Sequence, residues 1–163
     1  MLNLLAFLAL AAASPWDAPV TPRGVGPMRV GMSGPALQRI GAVRDRLSPE
    51  REEDDVYCVN WRVPGQPGLV AMMTGGVVVR IEIESPAYRT RPGVRVGMAE
   101  AEVRALLGPG MEDAPTPRGG GGQYLTLRAR GSPYGLMVKT SGARALRLRV
   151  GLWPHLRYEG VCY

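Results

Sequence analysis

The residues best suited to bind another molecule are basic side chains near the C-terminal end of the chain. Between residues 118 and 157 the sequence holds eight Arg or Lys and no Asp or Glu. Four of these cations lie where apolar and polar residues alternate, a pattern that turns the two sets to opposite faces of a strand. They are Arg128, Lys139, Arg147 and Arg149. Because like charges on neighbouring strands repel, the pattern predicts an acidic protein or another polyanion as partner.

An earlier part of the chain is expected to flank that surface. Its outward positions are more mixed, and Met72 and Arg80 are predicted to contribute apolar and basic contacts there. The alternative is a solvated sheet face in an arginine-rich protein, because the whole chain carries 20 basic against 14 acidic residues and a net charge of +6. In that case these cations would not raise the affinity for any partner.

Residue types that support catalysis or metal binding are few and scattered. The chain has one histidine, His155, and two distant cysteines, whereas a zinc site needs three or four ligands at suitable spacing. The glycine run 119–122 lacks the Lys-Ser/Thr that completes a phosphate loop. We therefore expect no enzyme activity, cofactor or metal. The alternative is an enzyme of unknown class with a site in the acidic and basic loops.

The two cysteines, Cys58 and Cys162, are predicted to form one disulfide. An even number of cysteines allows complete pairing, and disulfides persist in oxidising compartments. The alternative is a pair of buried free thiols.

The N-terminal segment predicts export. An apolar run at residues 2–13 is shorter than the roughly 20 residues of a membrane-spanning helix and ends in small residues. This pattern is typical of a signal peptide, here residues 1–13, although no Lys or Arg precedes the run. A buried N-terminal helix is the alternative. Export predicts a periplasmic or secreted protein with no transmembrane segment in the mature chain, and it makes nucleic acid an unlikely partner.

Two similarities within the chain predict an internal duplication. The sequence Arg-Val-Gly-Met occurs at residues 29–32 and again at 95–98, and residues 68–83 resemble residues 135–150. Because both similarities have nearly the same offset, they indicate a repeated supersecondary unit. Copy one spans residues 24–86 and copy two spans 90–158, with a C-terminal tail at 159–163.

Each copy reads as a short amphipathic helix followed by strands of alternating pattern. The glycine of each Gly-Met pair is expected to allow a bend into the helix. The predicted fold class is α+β: two tandem copies of a helix and antiparallel strands, forming one sheet with both helices on one face. The inward residues are predicted to be Val59, Trp61, Val63, Leu69, Ala71, Met73, Val79, Ile81 and Ile83 in copy one, and Leu125, Leu127, Leu136, Val138, Leu146, Leu148 and Val150 in copy two.

The order Gly-Met, short helix, antiparallel sheet resembles the BLIP-like and SmpA/OmlA-type domains. The resemblance is clearest at Gly97-Met98, Glu102-Val103 and 106–108, the residues of a "GMxxxEVxxLLG" pattern. It implies a domain that binds other proteins through an open sheet face and is not an enzyme. No residue here matches an inhibitory loop, so inhibition of a lactamase is not implied.

Overall fold

A computed structural model describes residues 13–46, 58–117, 120–160 and 162. After a 3-10 turn at Pro15–Asp17, the first elements form a small hairpin and a helix. Strands and two further short helices follow. In chain order the elements are β1 (Gly24–Val25), β2 (Met28–Arg29), α1 (Gly34–Arg39), β3 (Val43–Arg44), β4 (Cys58–Arg62), β5 (Leu69–Thr74), β6 (Val77–Ile83), α2 (Glu100–Leu107), β7 (Met111–Pro115), β8 (Gln123–Leu127), β9 (Tyr134–Thr140), β10 (Ala145–Leu152) and α3 (Trp153–Leu156).

Eight strands form one antiparallel sheet in the order β3-β4-β5-β6-β10-β9-β8-β7, and β1 pairs with β2 separately. The sheet therefore consists of two sets of consecutive strands that meet where β6 pairs with β10. Short connections join β4 to β5, β5 to β6, β8 to β9 and β9 to β10. This order places the last strand of each predicted copy at the centre.

The predicted α+β fold with helices on one face is wrong. The described part of the chain is mostly antiparallel sheet, with 40% of it in strands and 15% in helical segments, which include three short α-helices. Helix α3 also lies on the other face, because its Leu156 packs with Tyr124 and Met137 rather than with the main core. Helices of this length bury little apolar area, so strands supply most of the core.

One face of the sheet carries the main hydrophobic core, and we call it the core face. Leu37 of α1 and Val103 of α2 are fully buried and join this core. Trp61, predicted to point inward, is buried at 8% exposure, which confirms the strand phase of β4. The buried strand residues of the core are Trp61, Leu69, Ala71, Met73, Val78, Ile81, Ile83, Leu125, Leu136, Val138, Ala145, Leu148 and Val150.

Two predicted inward residues lie elsewhere because the strands contain irregularities. The register of β5 on β6 shifts between Met72 and Met73, so Val78 enters the core and Val79 packs with Met72 instead. The register of β10 on β9 shifts after Ala145, and Leu146 is left 50% exposed. A bulge adds one residue to a strand and so reverses the alternation locally.

The two Gly-Met bends have the same geometry. Gly31 and Gly97 have φ of +89° and +86°, in the region that favours glycine, which confirms their predicted role. The Gly31 amide donates to the Val78 carbonyl at 2.7 Å, and the Gly97 amide donates to the Ala145 carbonyl at 2.8 Å. Each bend is therefore attached to the start of β6 or β10. The duplication itself stays a prediction.

The predicted signal peptide lies almost wholly outside the described residues. Among the residues that the structure describes, no helix has the length and apolar character needed to cross a membrane.

Candidate functional site: the outer face and its C-terminal strap

The sheet side opposite the core face, which we call the outer face, is covered at its centre by the end of the chain. Strand β10 ends at Leu152, and the Trp153 amide donates to the Pro133 carbonyl at 2.8 Å. Pro154 lies in the first turn of α3, which ends after four residues. The chain then runs back across β10 and β6. We call residues 153–160 and 162 the C-terminal strap.

A cluster of three charged side chains lies beneath the strap. Glu82 on β6 is directly opposite Arg149 on β10 in the strand register. Its Oε1 is 2.7 Å from Arg80 Nη2 and 3.0 Å from Arg149 Nε, and all three side chains are fully buried. Burying unpaired charge is very costly, so this pairing is a condition for closing the outer face.

The two arginines are completed by backbone carbonyls of the strap. Arg80 Nη1 donates to the carbonyls of His155 at 2.7 Å and Tyr158 at 2.9 Å, and its Nη2 donates to that of Gly160 at 2.5 Å. Arg149 donates to the carbonyls of Leu156 at 3.1 Å and Glu159 at 3.4 Å. A guanidinium has five donors, and carbonyls at a helix end lack partners within the helix. The strap therefore supplies acceptors for most of the buried guanidinium donors, and the arginines supply donors for its carbonyls.

Burial shifts the pKa of two groups here. Desolvation lowers the pKa of Arg80 to about 10, even though Glu82 beside it favours the charged form. Arg80 therefore stays a cation at neutral pH. Partial burial lowers the pKa of His155 below its ordinary 6.5, and the charge of Arg80 lowers it further.

The end of the strap is fixed by the predicted disulfide, which is confirmed. Cys58 on β4 is bonded to Cys162, with their Cα atoms 5.2 Å apart and 104 positions apart in sequence. Asn60 Nδ2 donates to the Cys162 carbonyl at 2.7 Å. The disulfide packs on Met72 and Val79. The strap begins after β10, in the second half of the sheet, and the disulfide joins its end to β4 in the first half.

Three residues that the sequence placed on an exposed binding surface are buried. Arg80 and Arg149 are inaccessible and Met72 is 4% exposed, so their predicted exposure is wrong. The alternation did put the two arginines on the outer face. The alternation could not show that the strap covers them. The strap contacts the arginines through backbone carbonyls, which every residue has, so its sequence does not reveal the contact.

The remaining predicted cations differ in their pairing. Arg147 bridges Glu82 and Glu84, and Lys139 Nζ is 3.5 Å from Glu159 Oε2. Arg128 is exposed and stacks over the Trp153 ring, with its guanidinium carbon 5.0 Å from the ring centroid. The predicted row of four mutually repelling cations is therefore absent from the described part of the chain, because acids that are distant in sequence neutralise two of them and the strap covers a third.

Two grooves flank the strap. One, of about 330 Å³, lies between α3 and β7–β9, and the Tyr124 hydroxyl beside it is buried with no hydrogen-bond partner among the described residues. The other, of about 340 Å³, lies between the strap and β4–β5 and is lined mostly by apolar atoms. The first groove is lined by Glu112, Asp113, Ala114, Pro115, Pro117, Tyr124, Thr126, Met137, Trp153 and Arg157, and the second by Cys58, Met72, Thr74, His155, Tyr158, Glu159 and Gly160.

Sequence reasoning missed Asn60, Trp153 and Arg157 as members of this face. Trp153 and Arg157 are four positions apart, the spacing at which helical side chains are neighbours, but the four-residue helix α3 gave no periodic signal. In the described part of the chain, no three His, Cys, Asp or Glu side chains converge as a metal site would require.

No protein-family model matches this chain, and no curated protein matches it. It is similar to the crystal structure of the uncharacterized protein YfeY from Escherichia coli, with a TM-score of 0.52 and 12% sequence identity. The similarity covers 82% of this chain and 99% of the other. At this identity the likeness concerns the fold alone. The resemblance to BLIP-like and SmpA/OmlA-type domains stays a prediction.

Proposed function

We propose that the protein is an exported, non-enzymatic binding module that takes an acidic protein partner on its outer face. The contact surface is formed by Arg128, Trp153 and Arg157, which we call the docking surface. The disulfide between Cys58 and Cys162 supports export, since such bonds persist in oxidising compartments. Periplasmic or secreted localisation is part of this proposal.

The observation that carries the proposal is the state of the two arginines beside Trp153. Arg128 is held over the indole ring, and its Nε donates to the Ser132 carbonyl at 2.7 Å. Arg157 is exposed and lines the 330 Å³ groove together with the same tryptophan. Neither forms an ion pair within the described part of the chain, in contrast to Arg147 and Lys139. Two cations beside an aromatic ring are therefore available to a partner.

The chemistry of these side chains favours carboxylates. A guanidinium binds a carboxylate through two parallel hydrogen bonds, and Arg and Trp are enriched among residues that dominate binding energy at protein interfaces. Stacking on Trp153 also fixes Arg128 before the partner arrives, which reduces the entropy lost on binding. The neighbouring groove offers room for one side chain of the partner.

The test is the binding of a fluorescent Asp/Glu-rich peptide, followed by anisotropy between low and physiological salt. We expect Arg128→Ser/Arg157→Ser to bind at least tenfold more weakly at low salt and with a smaller salt dependence, since electrostatic attraction is screened by ions. The matched control is Arg39→Ser/Arg95→Ser, which removes the same charge from exposed arginines on segments that pack on the core face. Equal weakening in both double variants would show a nonspecific effect of net charge and would refute the docking surface.

Export has its own test. The mass of the protein recovered from the periplasm of an expressing bacterium should correspond to cleavage near Ala13. Recovery of the uncleaved chain from the cytoplasm only would refute export and leave the docking surface unaffected.

A further inference from the structure

We infer that the cleft beneath the strap is a peptide-binding site and that the strap, one turn of helix followed by an irregular segment, is its internal ligand. The Cys58–Cys162 disulfide decides whether the strap can be exchanged for a peptide from another protein. The inference concerns buried residues of the outer face and does not depend on the docking surface.

The cleft recognises main chain rather than side chains. Three side chains of the sheet, Asn60, Arg80 and Arg149, donate six hydrogen bonds to the strap, and every acceptor is a backbone carbonyl. Every residue has a backbone carbonyl, so such a site accepts peptides of varied sequence that can form the same helical turn and the segment after it. The acceptors are the carbonyls of His155, Leu156, Tyr158, Glu159, Gly160 and Cys162.

One apolar contact adds a side-chain preference. Leu156 is fully buried against Tyr124 and Met137. A peptide that replaces the strap must fill the same place with a side chain of similar size, because an empty apolar cavity is unfavourable. The cleft is therefore predicted to prefer a peptide with a leucine-like residue at this position.

The charge of the cleft explains why it needs an occupant. Arg80 and Arg149 share one buried acid, Glu82, whereas the partly exposed Arg147 also pairs with Glu84, so the fully buried part of the cleft holds two guanidinium groups and one carboxylate. The Arg80 Nε is also buried without an acceptor among the described residues. The strap thus leaves one donor unsatisfied, and a peptide that also places a carboxylate or hydroxyl at this donor would compete with it.

The disulfide can be reached while the strap is in place. Cys58 is half-buried and lines the 340 Å³ groove beside Met72 and His155, whereas Cys162 is 6% exposed. An external thiolate therefore attacks the Cys58 sulfur, forms a mixed disulfide there and releases the Cys162 thiolate, which takes up a proton. A second external thiol frees Cys58 and leaves as a disulfide of the two thiols. The end of the strap is then held only by hydrogen bonds.

The experiment uses the full chain with Cys162→Ser, in which Cys58 is free and the strap is untethered. The probe is a peptide of the sequence of residues 153–163, carried as a mixed disulfide of its cysteine with thionitrobenzoate. Attack by Cys58 joins the peptide to the protein and releases coloured thionitrobenzoate. We expect capture at least tenfold faster than for a scrambled peptide with the same composition and the same cysteine position. Equal rates for both peptides would overturn the inference.

A second measurement needs no change in the cleft. Amide hydrogen exchange of the strap in the wild-type protein is compared before and after reduction by a dithiol, with the core strands as internal reference. Reduction destabilises the whole fold and so speeds exchange in β6 and β10 as well, but we expect the strap of the reduced protein to exchange at least tenfold faster than these two strands, because it opens locally. Unchanged strap exchange after complete reduction would also contradict the inference. The docking-surface test is made on oxidised protein, so failure of one proposal leaves the other intact.

Discussion

The two faces of the sheet are closed in different ways. On the core face, apolar side chains from thirteen described positions of the eight-stranded sheet meet Leu37 of α1 and Val103 of α2 in one cluster. On the outer face, the buried Glu82 pairs with Arg80 and Arg149, and these two arginines donate to the carbonyls of the strap. Both faces exclude water. Only the outer face does so with buried charged groups, and the fold loses much stability if one partner of such a group is removed.

The difference concerns how much each face tolerates change. Hydrophobic burial is non-directional and roughly proportional to area, so the core face loses stability in proportion to the atoms removed. A buried ion cluster depends on geometry, and removing one member leaves the others uncompensated. Variants of each face test this difference in tolerance.

The largest effect is expected from the disulfide that locks the outer face. Replacing both cysteines by Ser, or reducing the bond, should lower the free energy of unfolding by about 4–5 kcal/mol, because the bond closes a loop of 104 positions in the unfolded chain. Urea unfolding of oxidised and reduced protein measures the loss. The double Ser variant should not respond to added thiol. A loss below about 1 kcal/mol would mean that the strap is held without its covalent end.

The next effect tests the ion cluster. Glu82→Gln should lower the free energy of unfolding by about 3–5 kcal/mol, because it leaves the buried arginines without their anion. Glu84→Gln is the control, since Glu84 also pairs with Arg147 but is exposed and should cost less than about 1 kcal/mol. Chemical unfolding of both variants gives the comparison. Similar losses for the two would contradict the account of the outer face.

The core face is tested at β4. Trp61→Ala should cost about 3 kcal/mol, at the lower end of the range for buried tryptophan, because the ring keeps 8% exposure. Arg62→Ala, the next residue on the opposite face, removes only an exposed ion pair with Asp45 and should cost less than about 1 kcal/mol. An unchanged melting temperature in the Trp61 variant would mean that its burial contributes little.

The smallest effect is a dependence on pH. The folded pKa of His155 is lower than its ordinary 6.5 through burial and the nearby Arg80, so the unfolded chain binds a proton first as the pH falls. Stability should therefore decline from about pH 7 down to the folded pKa and then level off, by less than about 1 kcal/mol because His155 is partly exposed. Thermal unfolding of wild type and His155→Gln measures it. The variant should lack this part of the decline, and identical profiles would exclude His155 as its source.

The core face could be predicted from sequence to a large extent. Alternation is a local property, and it placed Trp61, Ile81 and Leu148 inward before any strand neighbour was known. It failed at Val79 and Leu146, because a bulge depends on the pairing of two strands and leaves no mark in one of them. The disulfide was predictable because two cysteines allow only one pairing.

The outer face could be predicted only in part. The alternation put Arg80 and Arg149 on this side, but the pairing of Arg149 with Glu82 depends on β6 and β10 being neighbours, and these strands are far apart in the chain. The partners of the arginines in the strap are carbonyls, which every residue has. The third helix contains Pro154 and spans four residues, too few for a periodic pattern.

The pairing of β6 with β10 has a consequence for how the chain could have arisen. Glu82 and Arg149 differ by 67 positions, the same offset that relates the similar segments of the two halves, and they lie directly opposite each other. A rotation of 180° about an axis between Glu82 and Arg149 would therefore superimpose β6 on β10. In a dimer of identical units this position faces its own copy, so an acid would meet an acid and an arginine would meet an arginine. A single chain that carries both halves is free of that rule, and it can place opposite charges where an ancestor with exact symmetry had to place like residues.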